Sequence, residues 1–159
     1  MTELSAEGVF YVNATKELVF KRLTDIKWVS ECLPSLSELE IINENEFKAS
    51  FKVDILNITK KLPIEPLSQI TANMKFKFLE KKIEKVVIEG TGRVAGSKLE
   101  IKLEFAIKGN NNTEISWNAQ INPGVLLKFF GHDFIHETIN NISNEVIKCI
   151  SYKLNNIPS

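Results

Sequence analysis

An α+β fold is predicted for this chain, with a curled antiparallel sheet of six to seven strands around one long C-terminal helix and two short helices after the first strand. Three observations lead there. Apolar and polar residues alternate over four separate segments in the middle of the chain, the period of strands with one face buried and one in water. After Pro123-Gly124 the apolar spacing lengthens to three and four residues and holds to the end, as in a helix lying on a sheet. The strands follow one another without intervening helices, which excludes alternating strand and helix units. With 159 residues the chain is read as one domain, 1–159, large enough to bury a core without staples.

The elements follow in order. Residues 8–12 (GVFYV) form a short β-prone run. Asn13 offers a side-chain acceptor ahead of Thr15, Val19, Arg22, Leu23 and Ile26, which share one side of a helix predicted over 13–24. Lys27 to Leu33 reads as a second short helix, stopped by Pro34, because proline disfavours helical geometry in the residue before it. The first alternating run places Phe47, Ala49, Phe51, Val53 and Ile55 inward. Ala72, Met74, Phe76 and Phe78 make the second, Leu99, Ile101, Leu103, Phe105 and Ile107 the third, and Ile115, Trp117, Ala119 and Ile121 the fourth. Turn residues at Asn43 to Asn45, Glu80 to Lys82, Gly92 to Gly96 and Gly109 to Asn112 leave connections short enough for hairpins, so the topology is a meander.

In the long helix, Ile135, Ile139, Ile142, Val146, Ile150, Leu154 and Ile157 form the stripe expected to pack on the concave face of the sheet. Residues 131–155 would span about 36 Å at 1.5 Å per residue, enough to cover six or seven strands. Projecting this helix backwards would put Lys128 on the apolar stripe, so Gly131 is read as a break in register. Val125 to Phe130 then forms a separate helical turn, either a plug at the end of the core or a gate or partner contact.

Twenty basic and twenty acidic residues cancel to a net charge of +0, so no global field steers the molecule onto nucleic acid. The cysteines, Cys32 and Cys149, have no Cys-x-x-Cys neighbour. They are read as small buried hydrophobes in a reducing compartment rather than as a disulfide or a zinc site. The opening residues, MTELSAEG, carry no secretory leader pattern, and no run of eighteen apolar residues occurs, which gives a cytoplasmic reading. Sequons at Asn13, Asn57, Asn111 and Asn141 are then products of an Asn-rich composition.

Together these residues resemble a known family. The element order is similar to that of the START-like helix-grip superfamily, also called SRPBCC. Within it, Trp28-Val-Ser-Glu-Cys-Leu-Pro34 resembles the Cys-Leu-Pro-Gly or Cys-Ile-Pro-Gly stretch of the carbon monoxide dehydrogenase G-subunit family, as does Gly90-Thr-Gly92-Arg-Val-Ala-Gly96 leading into a strand. The resemblance runs from Glu7 to about Leu154. It departs at Ser35, where the family usually has glycine, and at Leu56 to Gln69, where Pro63 and Pro66 lengthen a connection that is tight in the family. Some members also carry a C-terminal membrane-anchoring tail, whereas this sequence stops at Ser159. The resemblance implies non-enzymatic binding of a hydrophobic or amphipathic small molecule between sheet and helix, with no cofactor. It also implies a molybdenum hydroxylase, such as carbon monoxide dehydrogenase, or the membrane surface as partner.

Three features bear on chemistry. Gly90, Gly92 and Gly96 lead into the strand KLEIKLEF rather than a helix N-terminus, so they do not form a dinucleotide site and are read as room for a bulge and turn. His132, Asp133, His136 and Glu137 cluster at the start of the long helix. Two histidines four apart share a helix face, but no third ligand stands at a recognisable spacing, so no metal site is assigned. The cluster is read as a first helical turn or pocket rim. The enzymatic alternative, a cyclase, dehydratase or hydrolase as the superfamily also contains, would use His132, Asp133 or His136 as acid or base; a further alternative is an assembly factor for a partner enzyme. The inward aromatic residues complete the picture: Phe51, Met74, Phe76, Phe105, Trp117 and Phe134 are expected to wall an apolar pocket, gated by Phe129 or Phe130.

Overall fold

The computed structural model describes residues 3–54 and 69–156. The proline-bearing stretch with Pro63 and Pro66, together with Asn57, Ile55 and Ile157, lies outside the described residues. The chain runs β1 (Leu4–Val12), α1 (Lys16–Leu23), α2 (Ile26–Ser30), β2 (Leu36–Asn43), β3 (Glu46–Asp54), β4 (Gln69–Lys82), β5 (Lys85–Val94), β6 (Ser97–Gly109), β7 (Thr113–Asn122), α3 (Leu126–Phe130) and α4 (His132–Asn155). Among the described residues seven strands form one sheet in the order β1-β7-β6-β5-β4-β3-β2. Every neighbouring pair is antiparallel. Strands β2 to β7 make the expected meander, and β1 closes onto β7.

Local chemistry explains the element ends. The cap of α1 is Thr15, not Asn13: the Thr15 hydroxyl accepts from the Leu18 amide at 3.2 Å, and Asn13 instead donates its own amide to Asn155 Oδ1 at 2.7 Å. Asp25 caps α2 by accepting from the Trp28 amide. The turn after β2 falls where expected, with the Asn43 side chain accepting from the Asn45 amide. The β4–β5 turn lies later than the sequence suggests, at Ile83-Glu84, because both strands extend past Glu80. Gly131, at φ +82°, separates α3 from α4 and leaves Lys128 in solvent, confirming the break in register.

The two cysteines correct the sequence reading. Cys32, just past α2, and Cys149, in α4, form a disulfide with Cα atoms 5.5 Å apart. They are separated by 117 residues, so no local spacing announced the pair; the packing of α4 across the end of α2 creates it. Lys153 reinforces the junction, donating to the Trp28 carbonyl at 2.9 Å, lying over the Trp28 ring and pairing with Glu31.

The interior is divided lengthwise. At one end Val12, Val19, Leu23, Ile26, Phe47, Val86, Ile107, Ile115, Ile150 and Leu154 pack into a dry core beneath α1 and α2. Thr113, fully buried there, donates its hydroxyl to the Ala14 carbonyl and so satisfies both groups. The other end is hollow. The helical stripe therefore does not pack along its whole length: Leu154 is 1 % exposed, whereas Ile142 is 41 % exposed, because its flank faces an open space rather than the sheet.

Candidate functional site

Strand parity carries the inward row of each strand from the core into the hollow. On β3 the row passes from Phe47 and Ala49 in the core to Phe51 at the cavity. On β4 it passes from Phe78 to Phe76, Met74 and Ala72; on β6 from Ile107 to Phe105, Leu103 and Ile101; on β7 from Ile115 to Trp117, Ala119 and Ile121. The crossing point on each strand carries a ring. Phe51, Phe76, Phe105 and Trp117 thus form an aromatic layer between core and cavity, with Phe105 and Trp117 directly paired across β6 and β7. Phe76 also stacks on the core residue Phe47, ring centroids 5.0 Å apart.

On β5 the corresponding row is Val86, Ile88, Gly90, Gly92 and Val94. The two glycines are needed for close approach: a Cβ on Gly90 would stand 2.7 Å from the Phe76 ring, and one on Gly92 2.1 Å from the Asn73 carbonyl oxygen. They make room for Phe76 and Met74, their cross-strand partners, to lie against the sheet. The bulge reading gives way to this role for these two positions, while Gly96 does serve the β5–β6 turn. Gly8 plays the same part on β1, where a Cβ would come within 2.8 Å of the Trp117 indole nitrogen.

The opposite wall is the first half of α4, through Phe134, Ile135, Ile139, Ile142 and Val146, with α3 contributing Leu126 and Phe130. Phe130 and Phe134 stack at 5.3 Å and close that end. At the far end Leu33 and Pro34, next to the disulfide, complete the lining. The cavity measures about 400 Å³. Among the described residues its lining holds no charged side chain; its hydroxyls, Thr138 and Ser143, both stand on α4. Thr138 donates to the Phe134 carbonyl at 2.9 Å, which leaves its oxygen free to accept.

Of the residues expected at the pocket, Phe51, Met74, Phe76, Phe105, Trp117, Phe130 and Phe134 are brought together around this space. Phe129 is not: it is 71 % exposed. Successive helical residues point about 100° apart, so with Leu126 and Phe130 turned inward Phe129 must face out. The wall supplied by Leu33, Pro34 and Ser143 was not anticipated; a proline after a short helix and a lone serine in an apolar stripe were its available signals.

His132, Asp133, His136 and Glu137 lie on the solvent side of α4, outside the cavity. His132 and His136 stack at 5.9 Å, His132 Nδ1 stands 3.6 Å from Asp133, and the His136 ring meets the Asn140 amide at 3.3 Å. None of the four reaches the apolar space. Among the described residues, no group of three side chains is arranged to hold a metal ion, and no helix is long and apolar enough to cross a membrane.

Comparison with known proteins agrees with this architecture. The family model of the carbon monoxide dehydrogenase G-subunit, CoxG, matches residues 8–155. No curated protein matches the sequence. Similar solved structures include a conserved protein from Geobacillus kaustophilus, with TM-score 0.79 and 15% identity over 95% of both chains. The Zhui aromatase/cyclase from Streptomyces sp. R1128 matches with TM-score 0.66 and 11% identity over 96% of this chain and 94% of its own. A START superfamily protein from Mycobacterium smegmatis matches with TM-score 0.53 and 11% identity over 92% of this chain and 96% of its own. At such identities these likenesses establish the fold alone.

Proposed function

Because the chain belongs to the CoxG family of carbon monoxide dehydrogenase and has the START-like helix-grip fold, we propose that it binds a hydrophobic small molecule between its sheet and α4, without catalysing a reaction on it. The observation that carries this reading is a cavity of about 400 Å³, a size typical of small-molecule sites, whose lining among the described residues carries no charge. A charged group taken into such a lining would lose its hydration without a partner. The ligand is therefore neutral along its buried part, oriented by the hydroxyls of Thr138 and Ser143, and any charged head stays at the mouth. For about 25 buried atoms at roughly 0.3 kcal/mol each, affinity reaches the micromolar range.

Among the described residues the cavity lining holds no acid or base, and the histidine cluster faces away, which favours binding over the enzymatic alternative. Val125 and Phe129, both exposed on the turn whose Phe130 closes the cavity, offer the contact for a partner. That partner, in this reading, is a molybdenum hydroxylase of the carbon monoxide dehydrogenase kind, or a membrane surface from which the ligand is drawn, with the protein acting in the cytoplasm.

Titration with the neutral dye Nile red tests the proposal, read by dye emission and by Trp117 fluorescence with Trp117→Phe as control. Saturable micromolar binding, competed by quinones or long-chain alcohols, is expected. Absence of a saturable signal from dye and tryptophan alike would refute it.

A further inference from the structure

We propose that the Cys32–Cys149 pair is a redox-modification site that latches the cavity: the oxidised pair holds the ligand in, and reduction speeds its release. This rests on the cavity being a ligand site. The two sulfurs join the two elements that form its far end. On one side Cys32 is followed by Leu33 and Pro34, both of which line the cavity; on the other Cys149 lies beside Val146, Ile147 and Ile150, which line it too. Leu33 and Pro34 belong to the connection between α2 and β2, where the backbone of Ser35 sits at φ +64°. A wall made of a short connection is held in place by whatever fixes its ends. At the Cys32 end the Cys32 and Leu33 amides donate to the Val29 and Ser30 carbonyls, and the ties across to α4 are one covalent bond together with the contacts of Lys153 to Glu31 and Trp28.

The pair is suited to exchange. It contains every cysteine of the chain, so reduction has no alternative pairing to form. Cys32 is 5 % exposed while Cys149 is only half-buried, so attack falls on the Cys149 sulfur. A thiolate from a dithiol reductant bonds to Cys149 Sγ, the Sγ–Sγ bond breaks, and Cys32 leaves as thiolate and takes up a proton. The second thiol of the reductant then displaces Cys149, which is protonated in turn. Two electrons and two protons pass from the dithiol, which ends as a disulfide. In a reducing compartment, paired cysteines are characteristically transient and sensing rather than inert. With the bond gone, the backbone bonds from Leu33 to Ser30 and from Lys52 to Ser35 remain, but the polar ties from this connection across to α4 are reduced to the contacts of Lys153 with Trp28 and Glu31, and a wall that must be re-ordered around the ligand binds it less tightly.

The test uses the full chain loaded with Nile red and chased into phosphatidylcholine vesicles in a stopped-flow instrument. Reduction with dithiothreitol should raise the release rate about tenfold, and oxidised glutathione should restore it. Cys32→Ser/Cys149→Ser should release at the fast rate with or without reductant. Lys153→Ala should raise the reduced rate further. Circular dichroism must show the reduced protein folded; should the double variant fail to fold, the reduced wild-type chain decides. Equal release rates in folded oxidised and reduced protein, with saturable dye binding in both, would overturn the latch while leaving the cavity reading intact. Unfolding on reduction would make the bond a structural staple and overturn the latch. Lack of saturable binding in either form would overturn both readings.

Discussion

Replacing Ile142 and Leu154 by alanine, one at a time, probes the division of the interior directly. Both belong to the stripe of α4, yet they stand at opposite ends of the divide. Leu154 is 1 % exposed and packs in the core, so Leu154→Ala should cost about 2–5 kcal/mol through lost transfer energy and the void left behind. Ile142 is 41 % exposed and flanks the cavity. Removing its three outer carbons would cost about 2.4 kcal/mol if it were fully buried, at about 0.8 kcal/mol per carbon. The part actually removed from water brings this to about 1.4 kcal/mol, and alanine returns about 0.4 kcal/mol through its higher helix propensity. The expected net cost is about 1 kcal/mol. For a chain of this length that separates the variants in thermal unfolding, by about 2–4 °C for Ile142→Ala against roughly 4–20 °C for Leu154→Ala. Urea titration at constant m-value gives the free energies. Nile red affinity should fall in Ile142→Ala and stay unchanged in Leu154→Ala measured well below its midpoint. Equal destabilisation of the two variants would mean that α4 packs along its whole length, and the argument for a cavity would fail.

Further expectations concern single positions. Gly90→Ala drives a methyl against the Phe76 ring and should destabilise by about 1–3 kcal/mol while weakening dye binding; a neutral, fully binding variant would show that the ring does not lie where described. Ser35→Gly relieves a left-handed backbone and should raise stability by up to about 1 kcal/mol, the steric gain exceeding the extra unfolded-state entropy of glycine, as a urea midpoint would record. Thr113→Val leaves the buried Ala14 carbonyl without its donor and should cost about 1–3 kcal/mol by the same measurement, whereas Thr113→Ser should cost less.

What could be read from the sequence follows from the range over which each signal acts. Alternation is local and strong where both kinds of residue are present, and it placed Phe51, Met74, Phe76, Phe105 and Trp117 on the inner face. The break at Gly131 was legible because Lys128 would otherwise have been buried. Strand β5 gave no clean alternation, since glycines occupy two of its inward positions, and β2 is an edge strand whose residues are mostly exposed. The helical phase of Phe129 against Phe130 could not be fixed in a turn of five residues. The disulfide depends on two positions 117 apart meeting, which composition and spacing cannot report. Nor could parity alone say where along a strand packing ends and open space begins.

That boundary has a consequence for how such a chain can change over generations. The residues that keep it folded, around Val19, Ile107, Ile115 and Leu154, are separate from most of those that would select a ligand, around Leu99, Ile101, Ile139 and Ile142. Aliphatic exchanges at the second set reshape the hollow while leaving the first intact, and volume-conserving swaps of this kind are well tolerated. Ligand preference is thereby free to drift without crossing the stability threshold that removes most substitutions. A scaffold divided in this way can be inherited by proteins of unrelated activity, each keeping the packed end and rewriting the open one.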